Sequence, residues 1–116
     1  ILGLQSKVYL FYEEEFEALG ETLIVTNDGS YGEKGFVTDV FDHVAPFERY
    51  YSCGPLPMLK AVKNQLKHKK GYLSFEERMG CGVGACFACV IPTNDQKGYK
   101  KICQDGPVFA ADEVIL

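Results

Sequence analysis

The chain has 116 residues, 47% of them hydrophobic and 24% charged, with a formal charge of -4, a balance that suits one globular domain or two very small ones. The acidic balance and the lack of a basic stripe argue against nucleic-acid binding, and no apolar run approaches the roughly 18 residues of a membrane span. No basic segment followed by an apolar one opens the chain, so no leader is read there and a cytoplasmic setting is the expectation.

In chain order, Ile1–Leu4 reads as the tail of a buried strand. Val8, Phe11, Tyr12, Phe16 and Leu19 share one helical face ahead of Gly20, which predicts a helix over Val8–Leu19. Glu21–Thr26 reads as a strand and Asn27–Gly35, with three glycines, as a turn-rich loop. A short helix is expected over Phe36–His43 and a strand over Tyr50–Ser52. After Cys53-Gly54-Pro55, Met58, Leu59, Val62 and Leu66 recur at helical spacing, with Pro57 in the first turn. Lys67-His68-Lys69-Lys70 complements the negative end of that helix, and Gly71 is read as its stop. This run is therefore read as a solvated terminus and not as a binding patch.

Strand and helix alternate up to Lys70, the pattern of an α/β fold with a parallel sheet. Beyond Gly71 the texture changes to a glycine- and cysteine-rich loop, then Val90-Ile91 and Tyr99–Ile102 about the turn Asn94–Gly98. The expected division is residues 1–71 as one lobe and 72–116 as a small β-containing domain.

The five cysteines are odd in number, and three of them lie within Cys81–Cys89, which points to a metal or cluster and not to a disulfide framework. The spacing C-x4-C-x2-C over Cys81, Cys86 and Cys89, with Cys103 more distant, is that of a plant-type [2Fe–2S] site. Two bridged irons need two thiolates each, so one loop wraps three sides of the cluster and a distant residue closes the fourth. Gly80, Gly82, Gly84, Ala85 and Ala88 let backbone press close, with N–H groups available to the sulfurs. The competing reading is a structural zinc site, which usually comes as two short C-x2-C knuckles. Cys53, taken alone, reads as a small buried apolar residue. His43 and His68 have no partner at ligand spacing and read as surface residues.

Two motifs combine into a resemblance. Cys53-Gly54-Pro55-Leu56-Pro57-Met58 resembles the C-G-P-x-x-M signature of ferredoxin-reductase-like NAD(P)-binding domains. Glu77–Cys89 is similar to the carboxyl-terminal cluster loop of the electron-transfer subunit of type B dihydroorotate dehydrogenase. Gly3–Phe16, with Phe11-Tyr12-Glu13-Glu14-Glu15-Phe16, and Asp28-Gly29-Ser30 followed by Gly35–Asp39, look like the same family, so the resemblance covers essentially the whole chain. It implies a partial ferredoxin-reductase-like nucleotide lobe joined to a small [2Fe–2S] domain, and a carboxyl-terminal fragment whose NAD site is incomplete. FAD would be bound by the intact subunit and not by this fragment, so no turnover is expected of it alone. The implied partner is an FMN-containing catalytic subunit that oxidises dihydroorotate in pyrimidine biosynthesis. A cluster handles one electron, a nicotinamide two and a flavin either, so a flavin belongs between the other two.

Carried over by position, Cys53, Gly54 and Pro55 would lie near the nicotinamide, Asp28, Gly29 and Ser30 along the adenosine, and Gln5 and Ser6 at the adenine ribose. No Arg stands beside Gly3, which favours NAD over NADP. Two alternatives stand beside this reading: an electron-transfer subunit of another NAD(P)-linked flavoprotein, and a zinc-stabilised docking module without redox function.

Overall fold

Ile24-Val25-Thr26 is buried along its whole length, the mark of a strand covered on both faces, as in parallel sheets. It forms β2, between β1 (Leu2–Leu4) and a short β3 (Glu33–Lys34). Both pairings are parallel, with Leu2 opposite Ile24 and Val25 opposite Glu33. The buried Thr26 hydroxyl is satisfied locally. It donates to the Tyr31 carbonyl at 2.7 Å and accepts the Tyr31 N–H at 3.3 Å. The computed structural model describes residues 1–116, and these strands belong to the first of two compact units, Ile1–Pro46 and Phe47–Leu116.

The helix expected over Val8–Leu19 is two shorter pieces, a 3-10 turn at Lys7–Tyr9 and α1 at Glu13–Glu17. Local chemistry explains the break. Ser6 Oγ accepts the Val8 N–H and caps a single turn, and Leu10 returns to extended backbone. Tyr12 then takes a left-handed conformation at φ 50°. Glu13, Glu14 and Glu15 fill the first turn of α1, where the positive helix end favours them. Glu13 is also held by Tyr31 Oη at 2.7 Å. The apolar residues thus share no buried face, and Val8 and Leu19 are 83% and 86% exposed. The segment Phe36–His43 is helical as expected, in 3-10 form over Val37–His43.

In the second unit, β4 (Arg49–Cys53) leads through α2 (Leu56–Gln65) to β5 (Lys70–Ser74), which lies parallel to β4. Leu59, Val62 and Leu66 are buried along one side, the apolar stripe anticipated from their spacing. Gly71 does not stop the helix. It is the second residue of β5, where a Cβ would lie 1.9 Å from Tyr50 Cζ. The glycine is there because the tyrosine ring covers it. Of the basic run, Lys69 bonds the Phe47 carbonyl and sits 4.4 Å from the Phe47 ring centroid.

A hairpin of β6 (Val90–Pro92) and β7 (Tyr99–Lys101) follows, then a single turn α3 (Ile102–Asp105) and β8 (Val108–Ala110). Asp95 closes the hairpin, its carboxylate accepting the Gly98 N–H at 2.9 Å, and that bond holds its pKa below the usual value. β8 pairs antiparallel with the other edge of β5, giving the order β4-β5-β8. The change of texture at Gly71 therefore falls inside β5, and the carboxyl-terminal residues return to complete the sheet that β5 begins. Leu73, Phe75 and Phe109 are buried there, with the Phe75 and Phe109 rings meeting edge to face at 5.9 Å.

Candidate functional site

The hairpin accounts for how distant cysteines meet. Val90 stands opposite Lys101, so the residue before β6 faces the residues after β7. Ile102 N–H donates to the Cys89 carbonyl at 3.0 Å, and Cys103 N–H donates to Cys89 Sγ at 3.4 Å. Cys89 and Cys103 thus share one corner, the first buried and the second half-buried.

At the other corner, Cys81 Sγ accepts three backbone N–H groups, from Ala85 at 3.2 Å and from Val83 and Cys86 at 3.4 Å. Cys81 N–H donates in turn to Cys86 Sγ at 3.4 Å. The loop can curl this tightly because Gly82 and Gly84 sit in left-handed conformations at φ 69° and 84°. Phe87, which has a side chain, is also left-handed at φ 61°, a costly conformation for a bulky residue. Its ring leans on Tyr99 at 5.7 Å.

The electrostatics follow from those bonds. The Cys81 thiol is lowered to about 6 by the N–H groups of Val83, Cys86 and Ala85. Cys89 is lowered by the Cys103 N–H, whereas Cys103 is raised by the neighbouring Cys89 thiol and by burial. Thiolate is the form that binds metal, and backbone donors stabilise it here at Cys81 and Cys89.

The thiols stand as two pairs, Cys81 with Cys86 and Cys89 with Cys103, each pair in side-chain contact. No three His, Cys, Asp or Glu side chains close on one ion position. Two pairs of soft thiolates under inward N–H groups suit a two-iron cluster, which needs two ligands per iron.

The other expected residues fall into two groups. Gln5 and Ser6 follow β1, and Asp28, Gly29 and Ser30 follow β2. The two turns are joined, because Asp28 N–H donates to the Gln5 carbonyl at 3.3 Å and Lys7 N–H donates to Ser30 Oγ at 2.8 Å. Ser30 Oγ donates to Asp28 Oδ1 at 2.6 Å, which lowers the Asp28 pKa. They occupy the carboxyl ends of adjacent parallel strands, where open α/β sheets bind ligands. Cys53, Gly54 and Pro55 lie at the corresponding end of β4 in the second unit. Cys53 is exposed there, which corrects its reading as a buried apolar residue, because it shares the exposed face of β4 with Arg49 and Tyr51, opposite the buried Tyr50. A Cβ on Gly54 would meet Met58 Cε at 2.5 Å, which explains why that motif pairs a glycine with a methionine four residues on. His43 and His68 are exposed.

Residues 76–115 match the family model described as the iron–sulfur cluster binding domain of dihydroorotate dehydrogenase B. The whole chain is 62% identical over 119 residues to the dihydroorotate dehydrogenase B (NAD(+)) electron transfer subunit of Lysinibacillus sphaericus (strain C3-41). It is 56% identical over 120 residues to the subunit of the same name from Bacillus cereus (strain AH187). Residues 76–115 thus belong to that iron–sulfur domain family, and the chain as a whole is similar to these electron-transfer subunits.

It spans about half the length of these curated relatives, 46% of each. Among solved structures, a chain of an NADH-dependent reduced ferredoxin-NADP oxidoreductase matches 98% of it at a TM-score of 0.80 and 32% identity, over 42% of that chain. The fold is therefore the expected one for the family: part of a ferredoxin-reductase-like lobe with a small β-containing iron–sulfur domain. No helix is long and apolar enough to cross a membrane.

The spacing of the cysteines left Lys101 and Gln104 out of the site. A Cβ on Gly84 would meet Gln104 Oε1 at 2.7 Å, and Lys101 Nζ bonds the Gly84 carbonyl. Their nearness to Cys103 in sequence was the only available signal, and it does not say that either side chain turns toward the cluster loop.

Proposed function

We propose that this chain holds a [2Fe–2S] cluster on Cys81, Cys86, Cys89 and Cys103 and serves as the electron-transferring end of a dihydroorotate dehydrogenase B subunit. The observation that carries the reading is the pairing of the four thiols beneath backbone N–H donors. When bound, the cluster supplies one-electron transfer between an FMN-containing, dihydroorotate-oxidising subunit and the FAD and NAD+ of the full-length electron-transfer subunit. The chain's own residues do the rest. Val83, Ala85 and Cys86 aim N–H groups at Cys81, which keeps that ligand ionised and stabilises negative charge at the site. The hairpin β6–β7 delivers Cys103 to Cys89.

The functional division runs near Gly71, with residues 1–71 on the nucleotide side and 72–116 on the cluster side. Gln5 and Ser6 face the adenine ribose, Asp28, Gly29 and Ser30 the adenosine, and Cys53, Gly54 and Pro55 the nicotinamide. The turns that would hold the adenosine are already bonded to each other, so they are preorganised for a ligand at the strand ends. The chain by itself has no turnover, and its setting is cytoplasmic.

The test uses the full-length subunit carrying this sequence, mixed anaerobically with the FMN-containing catalytic subunit, dihydroorotate and NAD+. NADH should form, and Cys103→Ser in the electron-transfer subunit should slow it at least about tenfold, the smallest loss usual even for outer-shell partners of a metal site. Undiminished NADH formation by that variant would contradict the proposal.

A further inference from the structure

The Gly84–Ala85 peptide is bonded at both ends. Its carbonyl accepts from Lys101 Nζ, and its N–H, that of Ala85, donates to Cys81 Sγ at 3.2 Å. That is the shortest of the three backbone contacts to this sulfur, the others being 3.4 Å. Lys101 has a second hold on the same loop, because its ammonium lies 3.9 Å from the centroid of the left-handed Phe87 ring. Its backbone is fixed as well, with the Lys101 N–H donating to Asp105 Oδ2 at 2.7 Å. No other lysine ammonium bonds the Cys81–Cys89 loop. Lys63, Lys69 and Lys100 bond the Val114 carbonyl, the Phe47 carbonyl and Glu113 respectively.

We propose that Lys101 is a positioning residue for the cluster, holding the Gly84–Ala85 peptide with its N–H on Cys81 and thereby raising the reduction potential. The inference rests on the cluster reading above. Its physics is that of hydrogen bonds in series. A cation on the carbonyl oxygen polarises the amide, so the N–H at the other end becomes a stronger donor. Reduction adds negative charge that is shared by the thiolate sulfurs, and a stronger donor to Cys81 Sγ favours that charge. The bond also keeps the loop from unwinding at Gly84, where the left-handed backbone has no side chain to restrain it.

The experiment is a redox titration of the iron-loaded chain, followed by the EPR signal of the reduced form, on wild type, Lys101→Met, Lys101→Gln, Lys101→Arg and Lys97→Met. Lys97 lies 4.8 Å from the Tyr99 ring centroid and bonds nothing in the loop, so it controls for a nearby charge alone. Lys101→Met should be about tenfold harder to reduce, a midpoint about 59 mV lower for a one-electron couple. Lys101→Gln, a neutral donor, should fall between, while Lys101→Arg and Lys97→Met should stay within about twofold of wild type. If both neutral variants shed their iron while Lys101→Arg keeps it, the positioning role is supported by that difference. Wild-type midpoints in Lys101→Met and Lys101→Gln, or an equal drop in Lys97→Met, would overturn the inference. Iron content of the wild type reads the cluster assignment separately: a wild type that takes up no iron overturns that assignment and this inference together.

Discussion

Cys86→Ser is expected to reduce bound iron at least about tenfold, a larger loss than an outer-shell change produces because a ligand itself is removed. Serine keeps the shape of the side chain and replaces a soft, ionisable sulfur with a hard hydroxyl that iron–sulfur clusters do not favour. Cys86 is exposed, so its own packing contributes little to the fold and the loss would be read as ligand loss. Cys81 would be left paired with a hydroxyl, and one iron would be short of a thiolate. Cys53→Ser should keep the iron, because that thiol ends β4 and stands outside the two pairs. Iron analysis and the visible spectrum of the two variants check both statements. Iron retained by Cys86→Ser, or lost from Cys53→Ser, would contradict the ligand assignment.

Leu73→Ala should lower the stability of the second unit by about 3 kcal/mol, within the range of roughly 2–5 kcal/mol for buried leucines. Leu73 is 0% exposed in the central strand β5, opposite Ser52 of β4 and Phe109 of β8. Both neighbouring strands are pinned there, so little can relax into the space left behind. The strand runs on to Phe75, whose N–H donates to the Pro107 carbonyl at 3.0 Å, and then into the cysteine loop. The same substitution should therefore quicken cluster loss on warming, although no ligand has changed. Denaturant unfolding followed by circular dichroism measures the cost. A shift under about 1 kcal/mol would mean that Leu73 does not hold the sheet together, since even Ile→Val in a core typically costs 0.5–1.5.

How far the sequence could be read depended on the range of the forces involved. The curled cysteine loop was legible because its closely spaced glycines and cysteines act on one another over a few residues. The hairpin that delivers Cys103 was legible from two β-branched or aromatic runs about a polar turn. α2 was legible because its buried stripe keeps helical period. The stretch Val8–Leu19 misled for a definite reason. Its apolar residues fit a helix, but Ser6 caps a single turn and Tyr12 takes a left-handed conformation, so local hydrogen bonding overrode the periodicity.

Gly71 misled in the opposite way. A glycine after a basic run reads as a helix stop, yet its role is to lie under the Tyr50 ring, a contact between residues 21 apart that no local rule reveals. β8 was missed because three residues carry almost no period, and its place is decided by β5. Lys101 belongs to the same class. Its identity is local, but the carbonyl it bonds is 17 residues away and is reached only once the hairpin has closed.

The sites expected for a nucleotide illustrate a middle case. Asp28-Gly29-Ser30 alone is an ordinary turn, and the fold adds the observation that it is tied to Gln5 and Lys7 at the ends of two parallel strands. That arrangement gives the turn a place where a ligand would sit, which composition alone could not supply.

The most direct test of the central claim is metal analysis with visible and EPR spectra, on protein purified and reconstituted without oxygen. About two irons per chain, with an EPR signal that appears only on reduction, is the result expected of a [2Fe–2S] centre on four cysteines. Zinc without iron, even after reconstitution, would contradict the account and make the four cysteines a structural site.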